Sequence, residues 1–166
     1  MKAPLKAYVW LALIAGVVVT LDQWTKTLVR TRLDYGEAVI PWSQLAPFVA
    51  VVRQNNTGMA FGMLQGNNLF FSVLGVGISI AIIYYYPQIA GKDWALTLAM
   101  GLILGGALGN LVDRLTIGQV TDFVAVSHFA VFNLADASLS CGVAVLILGM
   151  WIRQKQLKRD TQDEPK

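Results

Sequence analysis

Apolar residues fall into four long blocks, separated by three polar connections of unequal length. A helix that crosses the hydrocarbon of a bilayer needs roughly 17–25 mostly apolar residues, and each block is of that size. The pattern predicts spans over about residues 7–28, 68–86, 94–112 and 132–152. Asp22 and Lys26 stand toward the far end of the first block, and Pro87 is expected to stop the second. The third block carries no charge, and the fourth has Asp136 in its first turns. The predicted fold class is an all-α polytopic membrane protein with four transmembrane helices.

The connections add detail. Spans two and three are joined by the short turn PQIAGKD, whereas spans one and two are joined by about forty residues, too many for a turn. Gly36, Pro41, Pro47 and the run PFVAVVRQNNTG predict a short strand or two and a turn at Asn56–Gly58, together a small platform outside the membrane. Residues Asp113 to Val131 join spans three and four and put Asp122 in a loop. Four spans place both termini on one side. Lys2, Lys6, Lys92, Arg153, Lys155, Lys158 and Arg159 mark that side as cytoplasmic, against Lys26, Arg30, Arg32, Arg53 and Arg114 on the other. The N-terminal run has the basic-then-apolar order of a secretory signal. No small-x-small site follows it, so it is read as an uncleaved first helix. The tail 153–166, RQKQLKRDTQDEPK, is polar and expected to be disordered.

Composition narrows the class. The chain has 166 residues, 55% hydrophobic and 14% charged, with a mean hydropathy of +0.55. That is too apolar for an ordinary soluble domain. The net charge of +3 sits largely near the termini, where membrane topology accounts for it better than nucleic-acid binding. One cysteine, Cys141, excludes an internal disulfide and is expected to pack within span four. One histidine, His128, reads as a loop residue, and no metal site or cofactor is expected. Trp10, Trp24, Trp42, Trp94 and Trp151 fit interfacial anchors.

The polar residues within this apolar background are the candidates for chemistry. Asp122 and Asp136 lie at one depth on one side of the predicted topology. Two carboxylates held close share a proton, which supplies an acid and a base in one site. The plain alternative makes Asp136 the N-cap of span four and Asp122 a solvated loop residue. Asn110, Asp113 and Arg114 are spaced i, i+3 and i+4, on one helical face, while a helix-end ion pair is the alternative for Asp113 with Arg114. Asn133 and Asp136 are i, i+3, and Asn56 belongs to a turn that presents a polar group or merely closes a loop. Asp22 and Lys26 are i, i+4 and read as a structural pair. On these residues alone three classes stay open: a peptidase using paired acids, a proton-coupled carrier, and an assembly subunit whose polar groups only join helices. Clustering of the polar groups toward one face favours the first.

The stretches LDQWTK (21–26), NTGMAFG (56–62), GGALGNLVDR (105–114), VTDF (120–123) and FNLADAS (132–138) occur in an order that resembles bacterial lipoprotein signal peptidase, an intramembrane aspartic peptidase family. The resemblance implies a four-helix core with a small extracytoplasmic β cradle and a mobile helix between spans one and two. It implies a catalytic dyad at Asp122 and Asp136, with Asn56, Asn110, Arg114 and Asn133 around the substrate and Asp22, Lys26 and Asp113 in support. The implied substrate is a prolipoprotein with a diacylglyceryl-modified cysteine, cut just before that cysteine. A monomer in the bacterial inner membrane, in contact with lipids and needing no metal, is expected. Met59 and Thr121 depart from the family's usual alanine and valine, and the loop between the dyad aspartates is short.

Overall fold

The computed structural model describes residues 5–160 except 42–43, 45, 47, 59–63, 91–92 and 128. Its helices are α1 (Leu5–Arg32), α2 (Asn68–Ile89), α3 (Trp94–Thr116) and α4 (Leu134–Asp160), and its strands are β1 (Ala38–Val39), β2 (Val49–Asn56) and β3 (Val120–Val126). All four helices are long and apolar enough to cross a membrane. Trp42, Met59, Lys92 and His128 lie outside the described residues, as does much of the segment where a short helix is expected between spans one and two. Among the described residues that connection carries β1 and β2.

Helix α3 is the centre of the bundle. Its apolar window is 72% buried, against 22% for α1, 22% for α2 and 11% for α4. The outer helices turn residues such as Trp10, Val17, Val73, Ile80 and Ile147 outward, which suits a lipid surround rather than water. Small residues let the neighbours close on α3. A methyl group at Gly105 would lie 2.6 Å from Val18 Cβ and 3.0 Å from the carbonyl oxygen of Ala15 on α1. The second of these is backbone and cannot swing aside. Gly105→Ala is expected to cost about 1–3 kcal/mol through overpacking, read as a lower thermal midpoint in detergent. An unchanged midpoint would show that α1 is free to retreat.

Two helices run past their predicted ends. Helix α2 passes through Pro87 to Ile89 instead of stopping before it. A proline this near a C-terminus removes one intrahelical bond only, and Ala90 N–H still donates to Tyr86 O at 3.0 Å. Helix α4 continues to Asp160, so the tail expected to be disordered from Arg153 is helical through that residue. Arg153 Nη1 donates to the Ile89 carbonyl at 3.0 Å, and Lys155 Nζ sits 3.8 Å from the Trp151 ring centroid. These contacts tie polar residues to the bundle. Residues 161–166 lie outside the described ones.

The strands form one antiparallel sheet in the order β1-β2-β3. Its third strand comes from the connection between α3 and α4, where the sequence alone predicts a loop. The segment VTDFVAV lacks clean apolar–polar alternation because Val120 to Phe123 are all buried. Cross-strand pairing, invisible in the local sequence, makes it a strand. Gly118, at φ +74, follows the end of α3 and turns the chain into β3. Arg53 on β2 donates through Nη1 to the carbonyls of Arg30 and Leu33, both at 3.0 Å. That guanidinium satisfies the open carbonyls at the end of α1 and anchors the sheet to the bundle.

Candidate active site

Asp122 projects from β3 and Asp136 from the first turn of α4. The chain between them doubles back. Phe123 and Val124 N–H both donate to Phe132 O, at 3.0 and 2.8 Å, and Phe132 N–H donates to Val124 O at 3.1 Å. That reversal lays Asn133 beside Asp122 and starts α4 there. The N-cap is Asn133, not Asp136. Asn133 Oδ1 accepts from Asp136 N–H at 2.9 Å, and Asp136 Oδ2 accepts from Asn133 N–H at 3.2 Å. This reciprocal capping box holds the Asp136 carboxylate at the helix N-terminus.

Each carboxylate is held by asparagine amides. Asp122 Oδ1 accepts from Asn133 Nδ2 at 2.7 Å, and Oδ2 accepts from Asn56 Nδ2 at 2.9 Å. The sheet register explains the second contact. Asn56 pairs with Val120, so it shares a face with Asp122 two residues along and meets it diagonally. An irregularity between Val51 and Gln54 sets that register. Asp136 Oδ1 accepts from Asn110 Nδ2 at 2.7 Å. Asn133 Nδ2 also donates to Asn110 Oδ1 at 3.1 Å, which links the two halves. The solvated-loop reading of Asp122 is excluded, since it is 3% exposed.

A second layer lies behind these asparagines. Lys26 Nζ is 2.8 Å from Asp22 Oδ2, and both side chains are fully buried. It also lies 3.4 Å from Asp113 Oδ2 and donates to Asn110 Oδ1 at 2.9 Å. Asp22 Oδ1 accepts from Ala135 N–H at 2.9 Å. Asp113 Oδ2 accepts from Thr121 N–H at 3.0 Å, and its Oδ1 pairs with Arg30 Nη1 at 3.1 Å. The expected helix-end pair of Asp113 with Arg114 is therefore replaced by pairing with Lys26 and Arg30. A step of about 100° per residue turns Arg114 toward the cavity instead. Gln23 is not singled out by the sequence. Its Nε2 reaches Asp22 Oδ2 (3.2 Å), Gly109 O (3.0 Å) and Asp113 Oδ1 (3.2 Å). Sequence reasoning likewise misses Arg30 and Thr121 as site residues, and only the motif LDQWTK hints at Gln23.

Both aspartates open onto a cavity of about 650 Å³, lined also by Asn56, Asn110, Arg114 and an apolar wall that includes Phe71, Leu74 and Leu139. The Arg114 guanidinium stands 5.5 Å from the Phe71 ring centroid. Its Nε is buried without a hydrogen-bond partner among the described residues, which leaves a donor for a bound group. Cys141 also lines the cavity and is exposed, contrary to the expected packed position. Gly142 takes the face against α3, where a Cβ would lie 2.8 Å from Ala99 O, so its neighbour points away.

Burial, then repulsion from Asp136, pushes the Asp122 carboxyl up to about 6, and the amides of Asn56 and Asn133 oppose the rise. Removing an amide that favours the ionised form must raise the value further. The Asp122 side chain is expected to ionise near 6, and that ionisation to move alkaline in Asn56→Ala, read from its carboxyl carbon shift against pH. An ionisation that stays in place would separate Asn56 from the Asp122 carboxyl.

Residues 14–152 match the model of a family described as Signal peptidase (SPase) II. The lipoprotein signal peptidase of Shouchella clausii is 38% identical over 151 residues, covering 90% of this chain and 98% of the relative. That of Acinetobacter baumannii (strain ATCC 17978) is 35% identical over 161 residues, covering 92% and 89%. A solved bacterial membrane enzyme superposes with a TM-score of 0.78 at 33% identity, covering 94% of this chain and 92% of that one.

Proposed function

The chain belongs to the signal peptidase II family and shares its lipoprotein signal peptidase function, and from that premise we propose that Asp122 and Asp136 are its catalytic dyad. The observation that carries the proposal is that two carboxylates, each bound by at least one asparagine amide, open onto one cavity, where burial and then repulsion from Asp136 raise Asp122. Such a pair holds one proton between them.

Hydrolysis proceeds from this pair and a water molecule. The ionised carboxylate takes a proton from water as its oxygen attacks the scissile carbonyl. The protonated carboxylate gives its proton to the carbonyl oxygen. Collapse of the tetrahedral intermediate breaks the C–N bond, the proton held by the base passes to the leaving amine, and a hydroxyl proton of the intermediate returns to the other carboxylate as the carbonyl re-forms. The roles of acid and base belong to the dyad rather than to one named member. Asn56, Asn110 and Asn133 keep the carboxylates aimed, and Arg114 offers donors to the bound peptide.

The substrate is a prolipoprotein carrying a diacylglyceryl cysteine, cut immediately before that cysteine. The apolar cavity wall formed by α2 and α4 suits acyl chains and a signal helix, and the polar end suits the scissile peptide. One chain supplies every group named, which supports action as a monomer. The dyad faces the extracytoplasmic side of the bacterial inner membrane, with both termini cytoplasmic. Supporting this orientation, Lys26, Arg30 and Arg53 at the dyad end are committed to Asp22, Asp113 and the carbonyls of α1. Lys26 is buried and Arg30 and Arg53 are partly buried in these contacts, whereas Arg153, Lys155 and Lys158 at the other end are exposed. The test is a gel-shift assay of a diacylated precursor with purified parent and single Asp122→Asn and Asp136→Asn variants. Parental turnover in either variant removes the dyad.

A further inference from the structure

Asp22 and Asp113 come from different helices, yet they do the same thing. Asp22 accepts the N–H of Ala135, the residue immediately before Asp136. Asp113 accepts the N–H of Thr121, the residue immediately before Asp122. Lys26 Nζ lies between them, 2.8 Å from Asp22 Oδ2 and 3.4 Å from Asp113 Oδ2. The same ammonium donates to Asn110 Oδ1 at 2.9 Å.

That last contact is the shorter of two that set which way the Asn110 amide faces. An amide whose oxygen accepts from Lys26 and from Asn133 Nδ2 must turn its Nδ2 outward, and it meets Asp136 Oδ1 at 2.7 Å. Without the lysine, only the Asn133 amide at 3.1 Å still holds that oxygen, and a rotated Asn110 would present an oxygen to a carboxylate, which repels the ionised form. Asn133 has its own lock, because its Oδ1 accepts from Asp136 N–H. Among the described residues the Asn110 side chain is held only by other side chains, those of Lys26, Asn133 and Asp136.

We infer that Lys26 is a positioning residue for the peptidase reaction, acting through Asn110 on Asp136 and through Asp22 and Asp113 on the backbone that carries the dyad. It touches neither the cavity nor the substrate, since it is fully buried and absent from the cavity lining. Its role is thus more than neutralising Asp22, as a self-satisfied helical pair would do. This inference rests on the dyad reading above.

Deleting the ammonium alone leaves buried acids uncompensated and endangers folding, so the test uses a neutral background. In Asp22→Asn, residue 22 still offers an oxygen to Ala135 N–H. Two variants are compared in that background: Lys26→Gln, which keeps an amide donor for Asn110, and Lys26→Met, which keeps bulk without a donor. Both are expected to show similar thermal midpoints. Lys26→Met is expected to lose roughly 100-fold in kcat with KM nearly unchanged, the scale of a small misplacement at a reacting centre, and Lys26→Gln to recover most of it. Equal kcat in the two variants would reduce Lys26 to a charge balance and overturn the inference. Should the Asp22→Asn background not fold, the same pair is read in Asp22→Ser, which is also neutral and keeps an oxygen at position 22, with the same deciding outcomes. Single Asp122→Asn and Asp136→Asn variants run in parallel keep the two readings apart. If they cleave at the parental rate the dyad fails, whereas equal Gln and Met turnover with inert dyad variants fails only the role of Lys26.

Discussion

Asp122→Asn and Asp136→Asn are each expected to lower turnover of diacylated precursor by about 10³–10⁴-fold or more, the upper range for losing general acid–base catalysis. An amide can neither take a proton from water nor give one to a carbonyl oxygen. Folding should survive the change. Asp122 accepts from both Asn56 and Asn133, so an amide at position 122 would turn its NH2 toward one of these donors and lose that bond. The loss is offset in part because the neutral side chain no longer repels Asp136 or suffers desolvation as an anion. The net stability change should stay within about 1–2 kcal/mol. Cleavage and thermal midpoint measured on one preparation separate the effects. A variant that unfolds but, when folded, cleaves normally would support the helix-joining role and end the catalytic one.

Asp113→Ala should behave in the opposite way, with a stability loss of about 3–5 kcal/mol, the cost of leaving part of a buried ion network unpaired. Asp113 is fully buried and accepts from Thr121 N–H, Arg30 and Gln23 while pairing with Lys26. Its removal orphans the N–H that holds β3 next to Asp122, so activity falls with folding rather than apart from it. Asp113→Asn keeps an acceptor for Thr121 and should cost less, about 1–3 kcal/mol. Unfolding in detergent against temperature reads both. A loss below about 1 kcal/mol for Asp113→Ala would mean that the sheet, not this carboxylate, positions Asp122.

The contrast between these variants shows why the motif residues do different work despite similar spacing. Asn110, Asp113 and Arg114 share a helical face by periodicity. The structure splits them: Asn110 and Arg114 line the cavity, and Asp113 turns back toward Lys26 and Arg30. A face wide enough to hold all three is also wide enough to meet two environments, and only packing against α1 and β3 divides it.

The four spans, their order and the two local pairs are properties of the sequence. Hydrocarbon solvates no backbone polar group, so each crossing must be a continuous apolar helix that satisfies its own bonds, and such runs are readable one window at a time. Asp22 with Lys26 and Asn133 with Asp136 are close because a helix turn makes them so. The site itself needed the tertiary structure. Asn56 reaches Asp122 across 66 residues, and Asp22 reaches Ala135 across 113. Such contacts depend on a strand that exists only through its partner, and on glycines that let α1 close on α3. Helical periodicity acts over a few residues, whereas the distance between two carboxylates on separate elements is set by how those elements pack.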